Sequence, residues 1–191
     1  MIEWLKFFCY TIFMNISIVR PQANDKKEIC NLFKITIKNA FEQEGIGSYS
    51  KDIKKEVENQ YNRLNQDFKS QGKSIYYLVA KTNSQIVGTI ARSQPDKIIR
   101  ENFKLILNNI PAIASVYVLP QFQGKRIGTL LFNHMLKYFK QKNIEEFVMD
   151  SGYKKAQHFW IKKVGKPTIL LKDYWNKNSH HMIWHIKLKK L

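Results

Sequence analysis

One stretch limits the fold of this chain more than any other: Ser115-Val-Tyr-Val-Leu-Pro-Gln-Phe-Gln-Gly-Lys-Arg-Ile-Gly-Thr129. An apolar run with the look of a buried strand stops at Leu119-Pro120, because proline cannot donate to a sheet ladder. A loop carrying Gly124 and Gly128 follows, and a helix opens at about Gly128-Thr129. Strand, glycine loop and helix in immediate succession require a sheet with a helix laid back on it. The amides of such a loop, with the free N–H groups of the first helical turn, form a ready anion site. Gly128 presents no Cβ where an anion must come close, and Lys125 and Arg126 add mobile positive charge.

The rest of the chain reads as elements around that unit. Asn15–Arg20 alternates and closes on Arg20-Pro21, as a first strand does. Asn24 or Asp25 can cap a helix running to about Phe41, with Ile29, Leu32, Phe33, Ile37 and Ala40 on one face. Gly45–Ser48 breaks it. A polar helix follows from Lys51 to about Ser70, held by Ile53, Val57, Tyr61, Leu64 and Phe68. Ser74–Lys81 and Gln85–Arg92 read as two strands about a tight turn. Ser93–Asn109 reads as a polar insert, part helix through Ile98–Leu107, and Pro111–Val118 as a buried strand. Leu130–Lys140 is a helix with Leu131, Met135, Leu136 and Phe139 inside, and Glu146–Asp150 a strand. Lys154–Lys163 is a helix stopped by Gly165 and Pro167. Pro167–Lys172 and Met182–Leu188 form a closing antiparallel pair. The order β-α-α-β-β-β-α-β-α-β-β describes an α/β domain around one mixed sheet.

The 191 residues suit one such domain with a sizeable core. Hydrophobic residues at 44% and charged residues at 25% exclude a disordered chain. The formal charge of +17 favours anionic ligands, although the lysines are scattered as a solvated surface would scatter them. Two cysteines, Cys9 and Cys30, form no disulfide framework, so a reducing cytoplasm is the expected compartment. Trp4–Met14 is apolar but shorter than the roughly 20 residues of a spanning helix. Residues 1–14 are expected to be an N-terminal extension, with the domain over 15–191.

The segment resembles the pyrophosphate loop of the GNAT acyltransferases, [Arg/Gln]-x-x-Gly-x-[Gly/Ala] after a Val-x-Pro-like step. Here Gln123-Gly124-Lys125-Arg126-Ile127-Gly128 follows Val118-Leu119-Pro120, with Arg126 in place of the family's middle glycine. Ala156-Gln-His-Phe-Trp-Ile-Lys-Lys-Val-Gly165 is similar to the family's Ala-x-x-Phe-Tyr-x-x-x-Gly helix, with one extra residue. The element order from Asn15 to Leu188 matches as well. The resemblance implies a single-domain, splayed mixed β-sheet flanked by helices, and acetyl transfer from acetyl-CoA to a primary amine in a ternary complex. It places pantetheine along Val116, Tyr117 and Val118, and pyrophosphate on Gln123, Gly124, Lys125, Arg126, Ile127 and Gly128. It offers Thr129 as a candidate hydroxyl donor, and Trp160 either as a residue that lines the cofactor cleft or stabilises a thiolate, or as a core tryptophan.

Acid and base are less plain. The family's acid tyrosine falls on Trp160 or Ile161, so Tyr153 and Tyr174 are the substitutes. Pro111–Val118 holds no carboxylate to act as base, which leaves Glu44, Glu42 or Asp150. His180, His181 and His185 are not read as metal ligands. Residues four apart on a strand stand about 13 Å from each other, so no metal is expected. The acceptor pocket is expected from the first two helices, their Glu42–Tyr49 connection and the Tyr174–His181 loop. It would take a small-molecule or peptide amine. No membrane span is expected, nucleic acid is disfavoured, and a homodimer is allowed. The rival readings are a CoA-binding module without catalysis and a basic nucleic-acid-binding domain.

Overall fold

The computed structural model describes residues 15–83, 85–103 and 110–190. The N-terminal extension expected over 1–14 lies outside them. Seven strands form one sheet: β1 (Ser17–Val19), β2 (Tyr76–Lys81), β3 (Ile86–Ser93), β4 (Ala112–Val118), β5 (Glu146–Ser151), β6 (Ile169–Asn176) and β7 (Ser179–Lys187). Their spatial order is β1-β2-β3-β4-β5-β7-β6. All neighbours are antiparallel except β4 and β5. The sheet is therefore mixed, with its one parallel seam in the middle.

Helices cover both faces. On one side lie α1 (Lys26–Gln43) and α2 (Ser50–Ser70), with the short α3 (Lys97–Asn102) beyond them. On the other lie α4 (Ile127–Gln141) and α5 (Lys154–Val164). Strand alternation sorts the core between the two faces. Tyr76 stacks on Tyr138 of α4 at 3.9 Å, while Tyr77 meets Phe33 of α1 at 6.3 Å. Phe139 and Phe132 of α4 pack on Phe147 of β5, and α3 lays Ile99 and Phe103 over Ala112, Val148 and Ile183.

The polar helix α2 buries few side chains, but two of them are hydrophilic, Gln60 and Asp67. Asp67 anchors the helix to β1 and β2, taking an ion pair from Arg20 at 2.9 Å and a bond from the Tyr77 N–H at 3.4 Å.

Three expectations change. Asp25 stands at the N-cap of α1, but its carboxylate bonds none of the helix's N–H groups; it accepts from the Gln22 N–H and pairs with Lys81 at 2.7 Å, closing a 3-10 turn before the helix. The insert's helix spans Lys97–Asn102, opened by Asp96, whose side chain accepts from the Ile99 N–H; the expected continuation past Phe103 lies outside the described residues. The closing pair is longer than read. It runs to Asn176 and Ser179, with Tyr174 and Trp175 inside β6 and not in a loop. The sequence hid this because the register slips: Leu171 faces His181 while Asn176 faces Ser179, so four residues of β6 bulge opposite His180.

Candidate active site

The parallel seam barely closes. β4 and β5 share one registered pair, Ala112 with Val148, beside which the Val148 N–H donates to the Pro111 carbonyl at 3.0 Å. Past that point the strands separate. On its other side β4 stays paired with β3, and the Leu119 N–H reaches the Val87 carbonyl. Antiparallel pairing alternates, so Tyr117 and Leu119 face β3 while Val116 and Val118 turn their backbone groups into the opening. A bulge stands at the head of this edge: Thr89 pairs with Tyr117 but Ala91 pairs with Ala114, and Ser115 takes φ 53°. The irregularity is held from both sides, since the Thr89 hydroxyl donates to the Ser115 carbonyl at 2.8 Å.

The glycine loop lies at the end of that edge. Pro120–Phe122 forms a 3-10 turn, and α4 begins at Ile127 after Arg126, which takes φ 63°. Gly124 takes φ 76° with nothing within 4 Å of the position a Cβ would fill. Its glycine is called for by backbone conformation and not by crowding. Gly128 is the reverse. It lies in the first turn of α4, and a Cβ there would stand 3.5 Å from Phe159, an ordinary contact. Nothing in the protein itself demands a glycine at 128. Ile127 is 1% exposed, so only its backbone faces the loop. Lys125 rests its ammonium over the Phe122 ring at 5.2 Å. Gln123 spans the opening: its amide donates to the Val118 carbonyl at 3.1 Å and accepts from Lys155 of α5 at 2.5 Å. Trp160 does not line the cleft. It is a core side chain, 4% exposed and edge-packed on Phe132 and Phe159. Phe159 is the aromatic of α5 that stands beside Gly128 and Val118.

On the α1–α2 face, a buried polar chain runs along β4. Tyr77 donates to Ser115 Oγ (2.9 Å), and Ser115 donates to Gln60 Oε1 (2.6 Å). Gln60 and the Tyr117 hydroxyl both donate to Glu56 Oε1, at 2.9 and 3.1 Å. Tyr153 stands across the opening at the head of α5, its ring 6.1 Å from Phe41. Burial, then the nearby charges of Glu56 and Glu44, push the Tyr153 phenol well up, so it stays neutral. The Tyr117 phenol is raised by the same causes, burial first and then Glu56. Glu44 uses Oε1 to accept the Lys154 N–H at 2.6 Å, an anchor for the start of α5. As the structure stands it is a positioning group and not a free base.

A second polar group lines the β5–β7 wall. His181, 4% exposed, has Nε2 2.9 Å from Asp150 Oδ2 and Nδ1 3.2 Å from Trp175 Nε1. Tyr174, the other expected acid, is exposed at the rim, 5.5 Å from the His181 ring. Asp96 is raised by burial first and then by the charge of Asp150, and Arg63 and His181 act on it in the opposite sense. His185 instead faces Glu146, at 2.7 Å. The histidines thus address separate carboxylates, and among the described residues no group of three His, Cys, Asp or Glu side chains converges on a cation position.

Sequence reasoning missed Glu56, Gln60 and the role of His181. A signal for Gln60 was present: with Asp67 it falls on the same helical face as Val57 and Leu64, where a polar residue must have a buried partner.

This is the geometry of a known fold. The family model for the acetyltransferase (GNAT) family matches residues 37–165, and the chain belongs to that family. Solved structures agree in fold. A protein assigned to the GNAT acetyltransferases from Desulfovibrio desulfuricans superposes with a TM-score of 0.68 at 10% identity, over 91% of this chain and 99% of that one. PaiA N-acetyltransferase from Thermoplasma acidophilum, in complex with coenzyme A, gives 0.66 at 18%, over 91% and 100%. An aminoglycoside 6'-acetyltransferase type Ii gives 0.61 at 15%, over 90% and 97%. No curated protein matches the chain by sequence. Among the described residues no helix is long and apolar enough to cross a membrane.

Proposed function

We propose that the protein transfers the acetyl group of acetyl-CoA to a cationic amine. The observation that carries the reading is the opening between β4 and β5, with the unpaired edge of Val116 and Val118 leading straight to the Gln123–Gly128 loop. An extended amide-bearing chain such as pantetheine satisfies that edge as an added strand would. Its diphosphate then lies over the N–H groups that open α4 and beside Lys125 and Arg126. The space a Cβ would take at Gly128 suits close approach of phosphate. Entry of pantetheine releases Gln123 from the Val118 carbonyl.

The acceptor enters from the α1–α2 face. Glu44, Glu56, Asp96 and Asp150, four of the fifteen acidic residues of a chain with net charge +17, gather around this one opening. In a protein otherwise so basic, a local gathering of carboxylates favours a cationic ligand. Glu56, held by Tyr117 and Gln60, is fixed to receive an ammonium. The neutral Tyr153 phenol is a donor for the sulfur of the leaving CoA. CoA release measured with a thiol reagent, against a linear polyamine, an aminoglycoside, a free amino acid and a peptide with a free N-terminus, tests the reading. Saturable acetyl-CoA binding with turnover of at least one of them is expected. Binding without turnover of any amine would mark a CoA-binding module, and no binding would end both readings.

A further inference from the structure

Trp175 is bonded to a histidine that already has a carboxylate. An indole N–H donates and never accepts, so the bond from Trp175 Nε1 requires a bare lone pair on His181 Nδ1. The proton of the neutral ring is then on Nε2 and points at Asp150 Oδ2, 2.9 Å away. This is how a general base is prepared: one nitrogen held by a carboxylate, the other open. The unprotonated nitrogen lies beside the backbone of Gly152, where a Cβ would stand 3.2 Å from it and 2.6 Å from Trp175 Nε1, and Gly152 directly precedes Tyr153 at the head of α5. By register, Asp150 lies two residues past Val148, level with Ala114 and next to the Ser115 bulge across the opening. Trp175, in contrast, is half in solvent at 52% exposure, on the bulged segment of an edge strand. A lid is the element of this group that moves at least cost.

We propose that His181, oriented by Asp150, takes the proton from the acceptor nitrogen through Nδ1, and that Trp175 holds that nitrogen until the acceptor displaces it. This rests on the transferase reading above. The acceptor N–H replaces the indole N–H. The bound ammonium first gives one proton to water; as the resulting free amine attacks the thioester carbon the C–N bond forms and a second proton passes from the nitrogen to His181. The C–S bond breaks, its electron pair leaves on sulfur as the CoA thiolate, and the imidazolium, neutralised by Asp150, returns the proton to water. Asp150 from β5 and Tyr174 from β6 face the ring, His180 is its neighbour on β7, and Asp96 at the head of α3 is charge-coupled to it, with Arg63 from α2 acting in turn on Asp96.

The test combines pH–rate profiles with nitrogen-15 spectra of the histidine rings in the full chain. In the free protein His181 is expected as the Nε2–H tautomer, with Nδ1 bare; an Nδ1–H tautomer overturns the assignment without any acceptor being known. For a turned-over amine, kcat/KM is expected to fall on the acid side with one proton. His181→Gln should remove that limb and lower kcat/KM about 10²–10⁴-fold, with acetyl-CoA affinity kept. A folded His181→Gln protein within threefold of wild type, its acid limb intact, overturns it. Trp175→Phe keeps the ring and removes the donor, so the acceptor KM should fall with kcat retained; a lost kcat counts against the lid. If wild type turns over no amine, the transferase reading fails and this assignment with it. If only the assignment is wrong, wild type turns over and the His181 variant does too.

Discussion

Gly128→Glu separates folding from binding. The residue lies in the first turn of α4, and the nearest neighbours of a Cβ there are Phe159 at 3.5 Å and Val118 at 4.0 Å, both ordinary contacts. Replacing a helical glycine recovers about 1 kcal/mol of helix propensity. A carboxylate among the unpaired N–H groups of the first turn adds roughly 0.3–1 kcal/mol. The free protein should therefore be more stable than wild type by about 1–2 kcal/mol in urea unfolding. Binding should move the other way. A carboxylate ~4 Å from a phosphate charge, at an effective dielectric near 20, costs about 4 kcal/mol, or roughly a thousandfold in Kd. Calorimetric titration with acetyl-CoA measures this directly, and added salt should recover part of the loss. Gly128→Ala should show the stability gain with a smaller loss of affinity. Wild-type affinity in Gly128→Glu would mean that the phosphates bind elsewhere. A destabilised variant would refute the packing argument.

Arg20→Ala should cost about 3–5 kcal/mol, because it strands the fully buried Asp67, whose Oδ2 already lacks a partner among the described residues. Asp67 is raised by burial even with Arg20 present, so its protonated form favours the fold. The variant should regain stability relative to wild type as pH falls through the folded-state value, and gain no more below the unfolded one near 4; denaturant midpoints across that window check the sign. Gly124→Ala should lose about 1–2 kcal/mol to the φ of 76° alone, with no clash to relieve, as thermal unfolding will show. Tyr153→Phe should lower kcat by about tenfold, the rate equivalent of one hydrogen bond near 1.4 kcal/mol, and leave acetyl-CoA affinity unchanged. Since burial holds the Tyr153 phenol neutral, kcat should show no alkaline limb from this group below about pH 10.

Much of the strand, loop and helix around Gly124 and Gly128 was legible because it is local. Pro120, Gly124 and Gly128 lie within nine residues, and each acts through the backbone of its own neighbourhood, so the strand, loop and helix could be read in order. The limits of that reading are visible at Trp160 and Gln123. Helical position put Trp160 on α5, but only packing shows that Phe132 takes the indole into the core and that Phe159 holds the cleft wall. Gln123 was legible as a loop residue; its bridge to Val118 and Lys155 joins an edge and a helix that the chain reaches 32 residues later.

The polar groups of the α1–α2 face and the β5–β7 wall were not legible in this way, and the reason is sequence distance. Glu56, Tyr117 and Tyr153 come from α2, β4 and the head of α5, and His181 meets Asp150 across 31 residues. No spacing rule joins such groups, because what brings them together is the separation of two strands that share one pair. By itself the sequence determined the α/β alternation, the glycine loop and the family, since periodicity, turn chemistry and backbone freedom are properties of neighbouring residues. Only the tertiary structure decided which carboxylates and which histidine face the opening. Side-chain polarity, burial and tautomer are set by what packs against a group, and that comes from the far parts of the chain.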